Sequence, residues 1–347
     1  MQKHTVFGAG LIGGFLGGVL TSLNLDTTLV CRPAVKKKLA NGLLLTDYSE
    51  NKAVAKQLQL LDNDDITKSK QKSLNCDFLW ITVKCTAVEA VSKEIHPFIG
   101  KHTIILCCQN GLGSDQIIKA QFPDNTVLRV MVPFNVAEPK AGHLHRGSEG
   151  TMYVESIPAV EETLKKLIQQ INQPIMPVKQ TTNMHAILWA KLQMNLGNSV
   201  NALADIPVKS MLEQRAYRLV NAALMKELLM VTKALNINLP KLTAVSAQRI
   251  PTILSLPSFL YKRITKKVLA IDPTVRSSMW WDLSQGKQTE IDHLNGAVVR
   301  AGEKLGILCP ANKNIIRLVK EIEGTPIAER TGGISGEALL KEVRASV

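Results

Sequence analysis

The sequence predicts an α/β amino-terminal half followed by an all-helical carboxyl-terminal half. Three observations lead to this prediction. Short apolar runs alternate with amphipathic stretches over residues 1–178, and only helical periodicity recurs from about Thr181 onward. The chain has 347 residues, 45% of them hydrophobic, which suffices for two buried cores. We therefore expect two domains, over residues 1–179 and 180–347.

The first half is predicted to form a doubly wound parallel sheet of the Rossmann type. Strand-like runs alternate with helix-like stretches, and that alternation favours a parallel sheet with helices on both faces. The predicted strands cover residues 5–7, 27–31, 78–83, 103–107 and 127–132, and the predicted helices cover residues 11–23, 34–40, 87–95 and 114–120.

The second half is predicted to contain long helices without strands. Its helical patterns cover residues 183–203, 211–235, 289–305 and 311–322, and the tail, residues 331–347, holds a short helical pattern over 337–344. A polar stretch over residues 62–73 in the first half is typical of a surface helix or loop.

Residues 6–25 contain no charged side chain and resemble a signal peptide or a membrane-spanning helix. The alternative is a strand, a glycine turn and a helix. Six glycines weaken a membrane span, and the glycines follow a short strand-like run directly. We favour the second interpretation and expect a cytoplasmic protein without a membrane partner.

The glycine turn has the spacing of a dinucleotide-binding loop. It reads Gly8-Ala9-Gly10-Leu11-Ile12-Gly13 between a predicted strand and a predicted helix. In such loops the first glycine permits the tight turn, the second lets a pyrophosphate approach the backbone, and the third lets the helix pack on the strand. These six residues are therefore predicted to bind the cofactor.

Arg32, just after the second predicted strand, indicates NADP(H) rather than NAD(H). NAD-binding domains usually place a carboxylate here to bind the ribose hydroxyls, whereas a guanidinium pairs well with a 2′-phosphate. The following Lys36, Lys37 and Lys38 are also compatible with a solvated helix face.

Two further residues follow predicted strands whose carboxyl ends belong to the same edge of the sheet. Lys84 follows one strand, and Asn110 follows another within Gln109-Asn110-Gly111. Ligands bind at this edge of doubly wound sheets, so both residues are predicted cofactor contacts. The alternatives are an ordinary surface lysine and a simple turn.

A polar stripe marks the first helix of the second half. Lys191, Asn195 and Asn198 share one face of an ideal helix, with Ser199 at its edge, and the neighbouring positions are apolar. Buried polar groups need partners, so this stripe is either a network joining helices or a proton donor with substrate-orienting amides. A carboxylate is the expected partner for the lysine, and Glu290 is the candidate.

Charge and cysteine usage limit the partners. The formal net charge is +13, of which +3 lies in residues 1–178 and +10 in residues 179–347. Nucleic-acid binding by the basic stretch over residues 228–271 is disfavoured because aromatic residues are not interleaved with the basic ones. Six cysteines without metal-binding spacing indicate thiols in a reducing compartment and no metal site.

These motifs together resemble the ketopantoate reductase (2-dehydropantoate 2-reductase) family, up to about residue 325. The resemblance rests on the glycine turn, Arg32, the Val-Lys pair ending at Lys84, the Gln109–Gly113 turn, the Lys-Leu-x-x-Asn of Lys191 and Asn195, a Ser-Ser-Met…Thr-Glu-Ile-Asp pattern over residues 277–292, and a Gly-x-x-x-Pro-x-Asn pattern over residues 306–312.

The resemblance implies a Rossmann-type domain followed by a helical domain similar to the carboxyl-terminal domain of 6-phosphogluconate dehydrogenase. It implies NADPH-dependent reduction of ketopantoate to (R)-pantoate in pantothenate and coenzyme A biosynthesis, in the cleft between the domains. Lys191 matches the family's general acid and Glu290 its nearby carboxylate. Asn110, Asn195, Ser199 and Ser278 match substrate-binding positions, with Asn110 also at the cofactor. The protein is expected to be a monomer or homodimer.

Two departures from the family pattern leave other functions open. Ser199 stands where the family often has asparagine, and Trp280-Trp281 replaces Leu-Gln. A reductase of another bulky 2-oxo acid is one alternative. A non-catalytic NADP-binding sensor is another, although a sensor would not need the Lys191 and Glu290 pair.

Overall fold

The computed structural model describes residues 2–68, 74–266, 269 and 272–345. The chain forms two compact units, Met1–Met184 and His185–Val347. The first unit contains a largely parallel sheet flanked by helices, and the second contains helices and no strand among its described residues. The predicted fold class is confirmed.

The elements of the first unit are β1 (Lys3–Phe7), α1 (Leu11–Ser22), β2 (Asp26–Val30), α2 (Pro33–Leu39), β3 (Leu43–Asp47), β4 (Lys52–Ala55), β5 (Gln59–Leu61), α3 (Asn63–Lys68), β6 (Cys76–Ile81), α4 (Val88–Glu94), β7 (Ile99–Cys107), α5 (Ser114–Gln121), β8 (Thr126–Met131), β9 (Val136–Lys140), β10 (His143–Arg146), β11 (Met152–Glu155), α6 (Glu161–Ile171) and β12 (Val178–Thr181). Helix α3 covers part of the polar stretch predicted over 62–73, whose residues 69–73 lie outside the described residues.

The main sheet has the strand order β12-β11-β8-β7-β6-β1-β2-β5. Its pairs are parallel except for β8 with β11. The carboxyl ends of β1, β2, β6 and β7 therefore lie along one edge, and the residues that follow them are the glycine turn, Arg32, Lys84 and Asn110. The topology brings to one edge the four features predicted to hold a cofactor.

A second sheet, with the order β4-β3-β10-β9, was not predicted from the sequence. It packs on α1, whose glycines allow the close approach. A side chain at Gly17 would meet Leu29 of β2, and one at Gly18 would meet Leu45 of β3. Helix α1 thus lies between the two sheets, which explains why this segment is both apolar and glycine-rich.

The second sheet also holds a buried ion pair. An Arg146 Nη donates to Asp47 Oδ2 at 2.9 Å, and both side chains are almost fully buried. Asp47 accepts further hydrogen bonds from the backbone of Ser49 and Asn51. Burial opposes ionisation of Asp47, but these donors hold the pKa of its carboxyl below the ordinary value.

The elements of the second unit are α7 (Met184–Asn195), α8 (Gly197–Ala204), α9 (Val208–Glu213), α10 (Arg215–Ala234), α11 (Ile250–Ser255), α12 (Ser258–Ile264), α13 (Ser278–Ser284), α14 (Asn295–Lys304), α15 (Pro310–Gly324) and α16 (Gly336–Arg344). Helix α10 packs against α8, α9, α11, α14, α15 and α16, so it forms the centre of this unit.

Three of the predicted long helices differ from the structure. The helix predicted over 183–203 is interrupted at Leu196, and the one over 211–235 is interrupted at Gln214, whose backbone is extended. The helix predicted over 289–305 begins only at Asn295, because residues 289–290 are not helical and residues 291–294 form a turn. The helical periodicity of the apolar residues does not by itself reveal where these helices are interrupted.

Among the described residues, no helix is both long enough and apolar enough to span a membrane. The uncharged stretch over residues 6–25 contains the end of β1, the glycine turn, the 12 residues of α1 and the three residues that follow this helix.

Candidate functional site

The glycine turn between β1 and α1 has the geometry that a phosphate-binding loop requires. Gly8 has a φ of +99°, and a side chain there would meet Val83 Cγ1 at 2.5 Å. A side chain at Gly13 would collide with Thr82 and with the Gly8 carbonyl. At Gly10, by contrast, the nearest atom to an added Cβ is 3.9 Å away. Space is therefore left at the one glycine where a ligand must approach.

The amino-terminal end of α1 suits an anion. Its N-cap residue, Gly10, provides no side-chain hydrogen bond, and its first turn contains no acidic residue. The first N–H groups of a helix and its dipole favour a negatively charged ligand at this position.

The ends of β6 and β7 are held together by side chains. Gln109 Nε2 donates to the carbonyls of Ile81 and Val83 at 2.8 and 3.2 Å. Cys85 Sγ donates to the carbonyl of Asn110 at 2.6 Å. Lys84 and Asn110 therefore lie on two connections that are tied to each other, and both residues are exposed.

Arg32 is exposed at the N-cap of α2. Of the three lysines that follow it, Lys36 and Lys38 form ion pairs with carboxylates of this chain. Lys36 pairs with Asp62 at 3.0 Å and with Asp65, and Lys38 pairs with Glu138. The Lys36 ammonium lowers the pKa of Asp65 to about 2. The carboxylates of Asp62 and Asp65 are thus both paired with Lys36.

Lys191 and Asn195 lie one turn apart on α7, so they project from the same face. Burial lowers the pKa of the Lys191 ammonium below its ordinary value, because desolvation disfavours the charged form. A lysine of this kind is a better proton donor near neutral pH than an exposed one.

Ser199 and Ser278 differ in their surroundings. Ser199 is fully buried on α8, and its hydroxyl donates to the carbonyl of Leu196 at 2.8 Å. Ser278 is exposed at the first position of α13. Its neighbour Ser277 is the structural residue of the pair, because it caps α13 and donates to the carbonyl of Asn198.

Glu290 is 8% exposed and lies in the turn that precedes α14. Its carbonyl accepts hydrogen bonds from the backbone of His293 and Leu294, both at 3.0 Å. The carboxylate predicted to accompany the lysine is therefore on a compact, buried turn rather than on a helix.

Trp280 is anchored at the far end of α8. Its indole Nε1 donates to Asp205 at 2.6 Å, and the Arg276 guanidinium lies 4.1 Å from its ring. Arg276 also pairs with Asp205 at 2.9 Å. Trp281 is 54% exposed. Of the two tryptophans that replace Leu-Gln, Trp280 therefore connects α13 to the end of α8.

The hydrogen bonds by which Cys85 and Gln109 connect the ends of β6 and β7 were not expected from the sequence. A cysteine that follows a strand carries no specific sequence pattern. Gln109 lies beside a predicted site residue, and that adjacency was the only available signal.

A Rossmann-type sheet with an open glycine turn, followed by a helical unit with a partly buried lysine, is typical of two-domain dinucleotide-dependent oxidoreductases. Two family models match this chain: Ketopantoate reductase PanE/ApbA over residues 4–159, and Ketopantoate reductase PanE/ApbA C terminal over residues 183–323. The chain belongs to the PanE/ApbA ketopantoate reductase family, as the sequence motifs predicted.

Relatives and solved structures cover nearly all of the chain. The 2-dehydropantoate 2-reductase of Aquifex aeolicus is 26% identical over 336 residues, covering 93% of this chain and 97% of that protein. The crystal structure of a PanE/ApbA family ketopantoate reductase from Ralstonia eutropha matches with a TM-score of 0.74 at 26% identity, covering 92% of this chain and 98% of that chain. The ternary structure of a D-mandelate dehydrogenase with NADH and anilino(oxo)acetate matches with a TM-score of 0.73 and the same coverage. At 20% identity this likeness shows a common fold alone.

Proposed function

We propose that this protein reduces ketopantoate to (R)-pantoate with NADPH, a step toward pantothenate and coenzyme A. The observation that carries the proposal is that the family match includes both the glycine turn and the helix that bears Lys191. Relatives named 2-dehydropantoate 2-reductase over more than nine-tenths of the chain support the same reaction.

The residues of the first unit fit a nicotinamide dinucleotide. The space at Gly10 admits a pyrophosphate, and the α1 amino terminus supplies N–H donors to it. Arg32 is proposed to bind the 2′-phosphate, which is the basis for NADPH over NADH. Lys84 and Asn110 are proposed to contact the remainder of the cofactor. When bound, NADPH supplies the hydride.

The residues of the second unit are proposed to bind the keto acid and to supply the proton. Lys191 stabilises the negative charge that develops on the keto oxygen and then protonates it. Glu290 is proposed as the carboxylate that orients Lys191 and a substrate hydroxyl. Asn195, Ser199 and Ser278 are the proposed substrate contacts, of which the Ser199 hydroxyl already bonds within its helix.

Reduction of another bulky 2-oxo acid is the second candidate. The serine at position 199 and the two tryptophans at positions 280 and 281 favour it, because they depart from the family pattern. The fold shared with a D-mandelate dehydrogenase is compatible with it.

The test is a spectrophotometric assay of NADPH oxidation with ketopantoate and with a panel of aliphatic and phenyl-substituted 2-oxo acids. We expect ketopantoate to have the highest kcat/KM, and NADPH to be preferred over NADH. A preference of about tenfold for another acid, equivalent to about 1.4 kcal/mol, would overturn the substrate assignment in favour of the second candidate. NADPH binding without turnover of any acid would instead support a sensor.

A further inference from the structure

The turn that carries Glu290 is fixed by one helix. We call residues 289–295 the Glu290 segment. Thr289, at its start, is 1% exposed, and Asn295, at its end, is fully buried. Both bond to side chains of α15, so the two ends of the segment are attached to the same rigid element.

The attachment at Thr289 is made by Glu323. The Glu323 carboxylate oxygen Oε1 accepts from the Thr289 backbone N–H at 2.8 Å and from the Thr289 hydroxyl at 2.6 Å. The same hydroxyl accepts from the backbone N–H of Ile291 at 3.3 Å. One hydroxyl group thereby connects the residue before Glu290, the residue after it, and a carboxylate on α15.

The attachment at Asn295 is part of a buried chain of hydrogen bonds. Asn295 Nδ2 donates to Asn312 Oδ1 at 3.0 Å. Asn312 donates in turn, from its backbone and its side chain, to the carboxylate of Glu227 on α10. This end of the segment is therefore tied to the centre of the unit.

The Glu323 carboxylate is mostly buried, and both of its oxygens have partners. It is only 13% exposed, and its second oxygen lies 3.2 Å from Lys320. Charge-assisted hydrogen bonds to two buried donors resist displacement, because losing the acceptor would leave the Thr289 N–H and hydroxyl unsatisfied.

We infer that Glu323 is a positioning residue for Glu290, acting through Thr289. This inference rests on the proposed function, in which Glu290 acts beside the substrate. The carboxylate of Glu323 holds the backbone N–H and the hydroxyl of Thr289, and that hydroxyl holds the N–H of the peptide after Glu290. The backbone that carries Glu290 is therefore fixed from both sides.

The test compares variants that keep or remove the bridging groups. Thr289→Val has the shape of threonine without the hydroxyl, and Glu323→Ala removes the acceptor. Thr289→Ser retains the hydroxyl donor, and Glu323→Gln retains a side-chain oxygen that can accept. Glu321→Gln is the matched control, since it lies on the same helix and is exposed. Thermal unfolding of every variant, and kcat and KM for the keto acid and for NADPH, are measured on the full chain.

We expect Thr289→Val and Glu323→Ala to lower kcat by about 10- to 100-fold, with KM for NADPH little changed. Thr289→Ser and Glu323→Gln should recover most of that loss, and Glu321→Gln should match the wild type. In a Glu290→Gln background, Thr289→Val should have no further effect on kcat, because both changes disable the same group. If Thr289→Val does not fold, Glu323→Ala takes its place in both comparisons.

Wild-type kcat in Thr289→Val and Glu323→Ala would overturn the inference, and so would a loss that Thr289→Ser does not recover or that adds fully to Glu290→Gln. These results arise with an active wild type and leave the proposed function intact. A wild type that is inactive on every 2-oxo acid would overturn the proposed function and this inference with it.

Discussion

At the residue scale, the proposed chemistry depends on how burial alters a single ammonium group. Lys191 lies on a helix whose neighbouring side chains, among them Leu188 and Leu192, are buried. Desolvation there lowers the pKa of Lys191, which makes the protonated form a stronger acid than an exposed lysine.

Lys191→Ala should lower kcat by about 10²- to 10⁴-fold, because it removes the proton donor. In the wild type, kcat should be high at low pH and fall as pH rises through a pKa below 10.5, since only the protonated lysine donates. Steady-state kinetics across pH 6–10.5 would measure both effects. Lys191→Arg should lose the alkaline decrease, and an unaltered kcat in Lys191→Ala would contradict the assignment.

Arg32→Ala should raise KM for NADPH by about 10- to 100-fold and leave KM for NADH nearly unchanged, because only NADPH carries the 2′-phosphate. The measurement is the ratio of kcat/KM for the two cofactors. Lys37→Ala is the matched control, because Lys37 is exposed on the adjoining helix. Equal ratios in wild type and Arg32→Ala would refute the choice of NADPH.

At the element scale, α1 shows how one helix meets two different requirements. Its first turn has to admit a phosphate, and its later turns have to fit between two sheets. Glycine serves both purposes, by leaving space at Gly10 and by allowing close contact at Gly13, Gly17 and Gly18. The sequence pattern alone predicts the first requirement. The second depends on a sheet that was not predicted.

The two glycine positions should respond differently to the same substitution. Gly13→Ala should destabilise the fold by about 1–3 kcal/mol, because its Cβ would collide with Thr82 and with a backbone carbonyl. Gly10→Ala should leave the thermal unfolding temperature close to that of the wild type and raise KM for NADPH at least about tenfold. Thermal unfolding and cofactor titration distinguish the two. A destabilised Gly10→Ala that binds NADPH normally would contradict this division.

At the scale of the whole molecule, the carboxyl-terminal tail is an integral part of the second unit. The hydroxyl of Tyr217 donates to the carbonyl of Ile334 at 2.9 Å, and Ile334 donates from its backbone to Leu203. Helix α16 buries Leu339, Leu340 and Val343 against the unit. The predicted helical pattern over 337–344 is confirmed, and it completes the packing around α10.

Leu339→Ala should destabilise the protein by about 2–5 kcal/mol, because Leu339 is fully buried and its removal leaves a cavity. Urea unfolding followed by circular dichroism would measure the loss. Lys341→Ala, an exposed position on the same helix, should change the free energy of unfolding by less than about 0.5 kcal/mol. Equal effects of the two substitutions would show that α16 does not contribute to the core.

Local patterns in the sequence predict the fold class, the glycine turn, the strands that Arg32, Lys84 and Asn110 follow, and the family. These features follow from local patterns, because strand alternation and glycine spacing are read within a few dozen residues. Lys191 and Asn195 were placed on one helical face for the same reason.

The helix interruptions, the second sheet and the contacts that hold the Glu290 segment depend instead on tertiary packing. Strand β3 pairs with β10 across about 100 residues, and Thr289 meets Glu323 from 34 residues away. Such contacts depend on which surfaces packing brings together, so no local pattern encodes them. The role of Glu323 emerges only there, because along the chain it is one more acidic residue near the end of an amphipathic helix.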